Sequence, residues 1–175
     1  METLIAIFAG GCFWCMQPVF DSEAGVITTQ VGYSGGTFVN PTYDDLHTKN
    51  TGHYEAIEVK YDPKKVKYED LLKIYFANID PFDAEGQFAD KGHEYKTVVF
   101  YSNEEQKKAA EKHITELEKK FGGKKIATKI LPAKTFYAAE DYHQKYYEKN
   151  KLRYELYKTG SGRSSGLKKI WGDKN

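Results

Sequence analysis

The amino-acid sequence predicts an α+β protein in which helices pack on a mixed sheet. Three observations predict it: a continuous apolar run at residues 4–9, further strand-like runs at 26–33, 55–61 and 95–101, and amphipathic segments between them. At 175 residues, the chain is large enough to bury a core without metal or disulfide support. We therefore expect one domain of ordinary size.

The N-terminal half alternates predicted strands and helices. Gly10 and Gly11 end the first apolar run, and Asp62-Pro63 end the third strand, because glycine and proline interrupt regular structure. Residues 34–52 are rich in Gly, Asn, Pro, Thr and Asp, and an irregular connection of this length is typically functional. The predicted elements are a buried strand at 4–9, a helix from about 12 to 22, a strand at 26–33, a half-buried strand at 55–61 and a helix at 68–78.

The C-terminal half is predicted from patterning and helix caps. Ser102 with Glu105 forms a capping-box pattern that opens a long helix, and Gly122-Gly123 close it. The predicted elements are an irregular stretch at 79–94, a strand at 95–101, a helix from 102 to about 121, a strand at 125–131 and a helix at 140–151.

Charge and composition exclude several classes of partner. The 26 basic and 25 acidic residues leave a formal charge of +1, so no net field attracts nucleic acid or an anionic membrane. No apolar segment approaches the roughly 20 residues that span a bilayer, and the N-terminus lacks the basic region of a signal peptide. Residues 1–158 are predicted to form the domain and residues 159–175 a flexible polar tail. We expect a cytoplasmic monomer without a metal or other cofactor.

Both cysteines of the chain lie in one turn, Gly10-Gly11-Cys12-Phe13-Trp14-Cys15. A disulfide between such close positions restricts the unfolded chain little, which indicates a redox role and not a structural one. Cys12 follows the strand and the two glycines at a predicted helix N-terminus, where free N–H groups lower the pKa of a thiol. The sequence therefore predicts Cys12 as the nucleophile and Cys15 as the secondary thiol.

Other interpretations of this turn stay open on the residues alone. Free cysteine often packs as a small buried hydrophobe, beside which Phe13 and Trp14 would be core residues. A metal-binding or redox-responsive interaction module is the non-enzyme alternative, although the five histidines offer no second pair at zinc-ligand spacing. A Cys-x-x-Cys pair at a strand-to-helix turn also fits a thioredoxin-like disulfide oxidoreductase. Two bulky aromatics between the cysteines favour instead an apolar pocket for a small substrate group.

The segment Gly11-Cys12-Phe13-Trp14 resembles the active-site motif of the A-type peptide methionine sulfoxide reductases. Further segments resemble other blocks of that family in the family's order: GYSGG at 32–36, NPTY at 40–43, TGHYEA at 51–56, DKGHEY at 90–95 and AEDYHQ at 139–144. The resemblance implies a two-layer sandwich with a ferredoxin-like core, in which residues 1–158 are the catalytic domain. It also implies thiol-dependent reduction of methionine S-sulfoxide, free or in proteins, to methionine.

The resemblance implies a role for each matching residue. Cys12 attacks the sulfoxide sulfur and becomes a sulfenic acid, while Phe13 and Trp14 hold the S-methyl group of the substrate. Glu55 donates a proton or a hydrogen bond to the sulfoxide oxygen. The further donors and a residue that lines the site are Tyr43, Tyr95 and Asp90. Independently, displacing oxygen from sulfur needs an acid near that oxygen, which suits a glutamate whose pKa is raised by burial.

The chain departs from the family pattern in the turn and in the tail. Cys15 and Gln17 stand where the family commonly has glycine and glutamate, and the tail lacks the recycling cysteines of many members. Gln17 either preserves a hydrogen bond or lies on exposed helix surface, and we favour the exposed position. In the favoured recycling route, Cys15 attacks the Cys12 sulfenic acid and thioredoxin reduces the disulfide. In the second route, an external thiol such as glutathione with glutaredoxin reduces Cys12 directly.

Overall fold

The computed structural model describes residues 2–173. The chain folds into a six-stranded mixed sheet with helices packed around it. The strands are β1 (Leu4–Gly10), β2 (Val26–Ser34), β3 (Tyr54–Tyr61), β4 (Gly86–Gln87), β5 (Asp90–Lys91), β6 (Thr97–Tyr101), β7 (Lys129–Pro132) and β8 (Tyr137–Ala138). The helices are α1 (Phe13–Asp21), α2 (Tyr43–Thr48), α3 (Tyr68–Ala77), α4 (Glu104–Lys120), α5 (Tyr146–Lys149), α6 (Lys151–Gly160) and α7 (Arg163–Trp171). His93–Tyr95 and Asp141–His143 form short 3₁₀ turns.

The sheet has the strand order β7-β6-β1-β3-β2-β8, and β4 pairs with β5 in a separate ribbon. The pairs are antiparallel except β6 with β7, which is parallel. Strands β1 and β3 are therefore central, with a neighbour on each side. The predicted α+β class with a mixed sheet is confirmed.

The core lies on both faces of β1, because successive side chains of a strand point to opposite faces. Ala6 and Phe8 join the larger apolar cluster, whereas Ile7 and Ala9 join a smaller one. Helices α1, α3 and α4 form the second layer over the first face. The smaller cluster packs against Leu131, Ala133 and Phe136. Burial on both faces accounts for the continuous apolar run at the start of the sequence.

Two predicted elements are present with corrections. Strand β3 was expected to be half-buried, but it is buried at every position from Tyr54 to Ile57 because an apolar cluster covers each face of the sheet there. Helix α4 begins one residue later than the capping-box pattern predicts. Its cap is Asn103, whose side chain accepts from the Gln106 N–H at 2.9 Å, while the Gln106 side chain accepts from the Ser102 N–H at 2.9 Å.

The two stretches expected to be irregular contain short regular elements. Within residues 34–52, helix α2 begins with a reciprocal capping box between Thr42 and Asp45. Within residues 79–94, β4 and β5 form a small hairpin. Tyr95, predicted as the first residue of a strand, instead ends a 3₁₀ turn, and β6 starts two residues later.

The predicted helix at 140–151 is interrupted. Lys145 has a φ of 51°, in the left-handed region that a continuous helix does not contain. The segment therefore divides into a 3₁₀ turn, α5 and the start of α6. The predicted strand at 125–131 is shorter and later, since β7 begins only at Lys129.

The segment expected as a flexible tail is helical and packed. Helix α6 runs across the predicted boundary at residue 158, and α7 follows it. Arg163 is 3% exposed, and Trp171 Nε1 donates to the Ile79 carbonyl at 3.0 Å. The composition misled because only Ser161 and Gly162 lie between the two helices, whereas Ser164, Ser165 and Gly166 are inside α7. Residues 1, 174 and 175, which belong to the predicted domain and tail, lie outside the described residues. No helix within 2–173 is long and apolar enough to cross a membrane.

The cap of α4 gives a direct test of the corrected helix start. Asn103→Ala is expected to lower the free energy of unfolding by about 1 kcal/mol, because it removes the acceptor of a free helix N–H. Ser102→Ala is the matched control and is expected to change it by less than about 0.5 kcal/mol. Urea denaturation measures both free energies of unfolding. A larger loss in Ser102→Ala than in Asn103→Ala would show that Ser102 is the cap, as the sequence predicts.

Candidate active site

Cys12 lies at the junction of β1 and α1. Gly10 ends the strand, Gly11 turns the chain with a φ of 80°, and Cys12 is the N-cap of the helix. The N–H of Phe13, one of the free donors at the start of the helix, donates to Glu55 Oε2 at 3.3 Å. The turn therefore brings a thiol and a carboxyl group into one buried site.

Cys12 and Cys15 are buried free thiols that lie next to each other. They are 6% and 3% exposed, and the Cys12 thiol donates a hydrogen bond to the Cys15 sulfur. Burial, followed by this hydrogen bond, raises the pKa of Cys12 well above its ordinary value. The same bond, with the charges of Arg163 and Lys158, lowers the pKa of Cys15 to about 7. The direction at Cys12 is therefore opposite to the lowered pKa expected at a helix N-terminus, because burial outweighs that effect.

Glu55 is a buried carboxyl group on the central strand β3, 2% exposed. Burial raises its pKa well above the ordinary value, and the charges of Asp90 and Glu94 raise it further. The hydrogen bond from the Phe13 N–H acts in the opposite direction and is outweighed. The site therefore favours a protonated Glu55 that can donate to a ligand.

The hydroxyl groups of two tyrosines lie near Glu55 and Cys12. Tyr43 begins α2, Tyr95 ends a 3₁₀ turn, and the Tyr95 hydroxyl donates to Tyr43. Burial, followed by the charges of Glu55 and Cys12, raises the pKa of Tyr43 to about 12. Burial and Glu55 also raise the pKa of Tyr95. Both side chains therefore stay protonated and available as donors.

Asp90 is held by a residue that the sequence did not single out. The hydroxyl of Tyr157 on α6 donates to Asp90 Oδ2, and it also makes a hydrogen bond with Cys12. Burial, followed by the charge of Cys12, raises the pKa of Tyr157. Its ring packs edge-on against Trp14, with centroids 5.8 Å apart. As one of 14 tyrosines, it had no motif to distinguish it.

An aromatic cavity of 410 Å³ opens beside the turn. Its lining residues are Trp14, Tyr43, Tyr142, His143, Tyr146, Arg153 and Tyr157. Trp14 stacks on Tyr146 with centroids 3.9 Å apart and donates from Nε1 to His143 Nδ1 at 3.0 Å. Because Nδ1 accepts, the proton of the neutral ring is on Nε2, and this buried atom has no hydrogen-bond partner within residues 2–173.

Gln17 is 1% exposed and bridges three segments, which corrects its expected place on exposed helix surface. Its Nε2 donates to Thr29 Oγ1 at 3.1 Å, and its Oε1 accepts from the Lys145 N–H at 2.7 Å. Lys145 is the left-handed residue before α5, so Gln17 fixes the turn from which Tyr146 reaches Trp14.

The predicted site residues meet around this one turn. They are Cys12, Phe13, Trp14, Cys15, Tyr43, Glu55, Asp90 and Tyr95. Their individual roles stay predictions. The residues that sequence reasoning missed are His143, Tyr146, Tyr157 and Arg163, of which only His143 lay in a segment that carried the resemblance. No group of three or more metal-ligating side chains occurs within residues 2–173.

This arrangement can perform a displacement with acid assistance. A buried thiol supplies the nucleophile, and a protonated carboxyl group with two hydroxyls supplies donors for negative charge that develops on a leaving oxygen. The aromatic walls exclude water and accept an apolar group.

Comparisons with known proteins agree with this chemistry. Residues 4–175 match the family described as peptide methionine sulfoxide reductase. The peptide methionine sulfoxide reductase MsrA of Bacillus pumilus is 48% identical over 172 residues, covering 98% of this chain and 97% of that relative. MsrA 2 of Staphylococcus aureus strain MW2 is 47% identical over 171 residues, covering 97% of each.

Solved structures also resemble this fold. The reduced form of Mxr1 from Saccharomyces cerevisiae has a TM-score of 0.80 at 30% identity, covering 86% of this chain and 87% of that one. Methionine sulfoxide reductase A of Corynebacterium diphtheriae has a TM-score of 0.77 at 31% identity, covering 86% and 76%.

The bridging role of Gln17 can be measured as stability. Gln17→Leu is expected to lower the free energy of unfolding by about 1–2 kcal/mol, because it removes the partners of Thr29 and of the Lys145 N–H. Gln30→Leu, at an exposed glutamine of β2, is the control and should stay within about 0.5 kcal/mol of the parent. Equal stabilities of the two variants would contradict the bridge.

Proposed function

The chain belongs to the peptide methionine sulfoxide reductase family, and from that membership we propose that it reduces methionine S-sulfoxide, free or in proteins, to methionine. The observation that supports this proposal is a buried glutamate with a raised pKa, which lies beside the thiol of the family's motif. An oxidised substrate sulfur needs both groups together. The reductant is a thiol, because thiols return a cysteine sulfenic acid or disulfide to the free cysteine.

Substrate binding follows from the apolar walls. Phe13 and Trp14 directly follow Cys12 in the turn, and Trp14 borders the aromatic cavity, in which the substrate side chain binds in this proposal. These walls suit the S-methyl group of the substrate, while Glu55, Tyr43 and Tyr95 donate to its oxygen. Asp90, held by Tyr157, lines the same site.

The first step uses both cysteines. Cys15, whose pKa is about 7, accepts the Cys12 proton through their existing hydrogen bond, and Cys12 then attacks the substrate sulfur. The sulfur–oxygen bond of the substrate breaks, a sulfur–oxygen bond forms on Cys12, and the proton of Glu55 ends on that oxygen. The substrate sulfur gains two electrons, and Cys12 becomes a sulfenic acid. Cys12 is the proposed nucleophile because it is the cysteine of the family's motif and lies next to Phe13, whose N–H bonds to Glu55.

The second step regenerates the enzyme. The Cys15 sulfur attacks Cys12, a disulfide forms, and the hydroxyl group leaves as water with the proton that Cys15 held. A dithiol such as thioredoxin then reduces the disulfide. Glutathione with glutaredoxin, reducing Cys12 directly, is the alternative route. Such thiols are abundant in a reducing cytoplasm, which we propose as the compartment, with a monomer as the working unit.

The rival function, a thioredoxin-like disulfide oxidoreductase, fits the site less well. That activity requires a protein disulfide to reach a thiolate, whereas both sulfurs are almost fully buried. The aromatic cavity admits a side chain more readily than a disulfide held in a folded partner. Consumption of the S-epimer with dithiothreitol, without consumption of the R-epimer, distinguishes the two functions.

Replacement of Glu55 tests the acid role. Glu55→Gln is expected to slow the first turnover by about 10²- to 10⁴-fold, because an amide cannot supply a proton. The raised pKa means that the acid form is present below that pKa and is lost as the pH rises through it. The parent rate should therefore fall on the alkaline side, and the variant should lack this fall.

Glu58→Gln, on the same strand outside the site, is the matched control for rapid-quench measurement of methionine formed. It should keep the parent rate and pH profile. An unchanged first turnover in Glu55→Gln across the pH range would remove the acid role.

Single replacements of the cysteines test the division of labour. Cys12→Ser should form no methionine, because it lacks the nucleophile. Cys15→Ser should form one equivalent of methionine, more slowly than the parent, and should accumulate a Cys12 sulfenic acid that dimedone traps. Mass spectrometry of the parent after one turnover without reductant should show a Cys12–Cys15 disulfide. A persistent sulfenic acid with free Cys15 in the parent would exclude the internal route and leave direct reduction.

A further inference from the structure

Arg163, the first residue of α7, places a buried positive charge beneath the cysteine turn. It is 3% exposed, and none of the ion pairs within residues 2–173 includes it. A buried cation is costly unless hydrogen bonds and nearby negative charge compensate it. The surroundings of its guanidinium therefore show what it serves.

The guanidinium is fixed by backbone carbonyls at the end of β1 and after α3. Nη2 donates to the Gly10 carbonyl at 2.7 Å, and Nη1 donates to the Asn78 carbonyl at 2.8 Å. Nη1 also lies 3.7 Å from Met16 Sδ, and the group stacks 5.0 Å from the centre of the Phe88 ring. These contacts hold its position, and none of them is with a carboxylate.

The local backbone is shaped for this approach. A Cβ on Gly11 would lie 2.9 Å from Arg163 Nη2, so a side chain there would displace the guanidinium. Gly162, with a φ of 79°, turns the chain into α7 directly before Arg163. A Cβ on Gly166 would lie 2.4 Å from the Phe88 ring on which the guanidinium stacks. The three glycines thus leave room for the Arg163 guanidinium at this position.

The thiol affected by this charge is Cys15. Arg163 and Lys158 both lower its pKa, while the charge of Asp90 raises it. The groups that face Cys15 from neighbouring elements are Cys12, Glu55, Asp90, Tyr154, Lys158 and Arg163. Glu55 and Tyr154 are held neutral by their raised pKa values. The two cations are therefore the positive charges that act on this sulfur.

We propose that Arg163 is a positioning residue for the recycling step, which holds the Gly10-Gly11 turn and keeps Cys15 reactive toward the oxidised Cys12. The inference rests on the proposed resolving role of Cys15. Before turnover, the strongest influence on Cys15 is the hydrogen bond from the Cys12 thiol. Once Cys12 is a sulfenic acid, that thiol no longer exists, and the cations alone favour the Cys15 thiolate. Its attack forms the sulfur–sulfur bond, breaks the sulfur–oxygen bond and releases water after protonation.

The test measures the Cys15 thiolate by its ultraviolet absorbance in a Cys12→Ser background, with the double Cys12→Ser, Cys15→Ser variant as blank. Adding Arg163→Met should raise the titration midpoint by about one unit, while Arg163→Lys, which retains the charge, should stay near the background value. Lys169→Met removes an exposed charge from the same helix and should leave the midpoint unchanged. A purely structural Arg163 would not separate the methionine variant from the lysine variant.

A second measurement follows the recycling step in the enzyme with both cysteines. In Arg163→Met, methionine formation in the first turnover should fall less than formation of the Cys12–Cys15 disulfide. At a pH below the Cys15 midpoint, a one-unit rise of that midpoint lowers the thiolate concentration about tenfold. It also makes each remaining thiolate about threefold more nucleophilic. Disulfide formation should therefore slow about threefold, and Arg163→Lys should restore it.

The outcomes separate this inference from the proposed function. A folded Arg163→Met variant with an unmoved midpoint overturns the role of Arg163, even when the parent forms the disulfide. A parent that forms methionine without the disulfide overturns the recycling route and this inference with it. If circular dichroism shows that Arg163→Met is unfolded, Arg163→Gln, which keeps hydrogen-bond donors but removes the charge, supplies the same test. Its midpoint should also rise relative to Arg163→Lys, and equal midpoints of the two variants overturn the inference.

Discussion

The exclusion of water from the end of the central strands is the constraint on which this site depends. Strands β1 and β3 are covered on both faces, so Cys12 and Glu55 lie where ionised groups are poorly solvated. Burial is the largest cause of the raised pKa of Cys12, Glu55, Tyr43 and Tyr95. The fold thus supplies proton donors at neutral pH simply by where it buries them.

The two cysteines differ because different charges face them. Cys12 lies among acids and hydroxyls from β3, α2 and α6, whereas Cys15 lies toward the cations of α6 and α7. A motif with two thiols three positions apart does not show this asymmetry. The structure creates it by wrapping the C-terminal helices around one side of the turn, so the segment that looked like a tail is part of the site.

Local patterns in the sequence were sufficient for the three strands β1, β2 and β3 and for the turn. The apolar run before Gly10, the amphipathic α3 and the glycines after α4 each report their own structure, because neighbours in sequence decide it. Gln17 and Arg163 could not be interpreted in this way. Gln17 bonds to a residue 128 positions away and Arg163 to one 153 positions away, so their burial follows only from the assembled fold. The pKa of Cys12 could not be predicted in this way either, because the burial that raises it also follows only from the assembled fold.

The bond between Arg163 and the Gly10 carbonyl also has a consequence for the difference between the two cysteines. Because it joins residues 153 positions apart, it exists only when both ends of the chain are assembled, and closing so long a loop costs conformational entropy. In the unfolded chain, Cys12 and Cys15 are two accessible thiols without the neighbours that distinguish them. The difference between the two sulfurs is therefore a property of the whole folded chain and is lost whenever the chain unfolds.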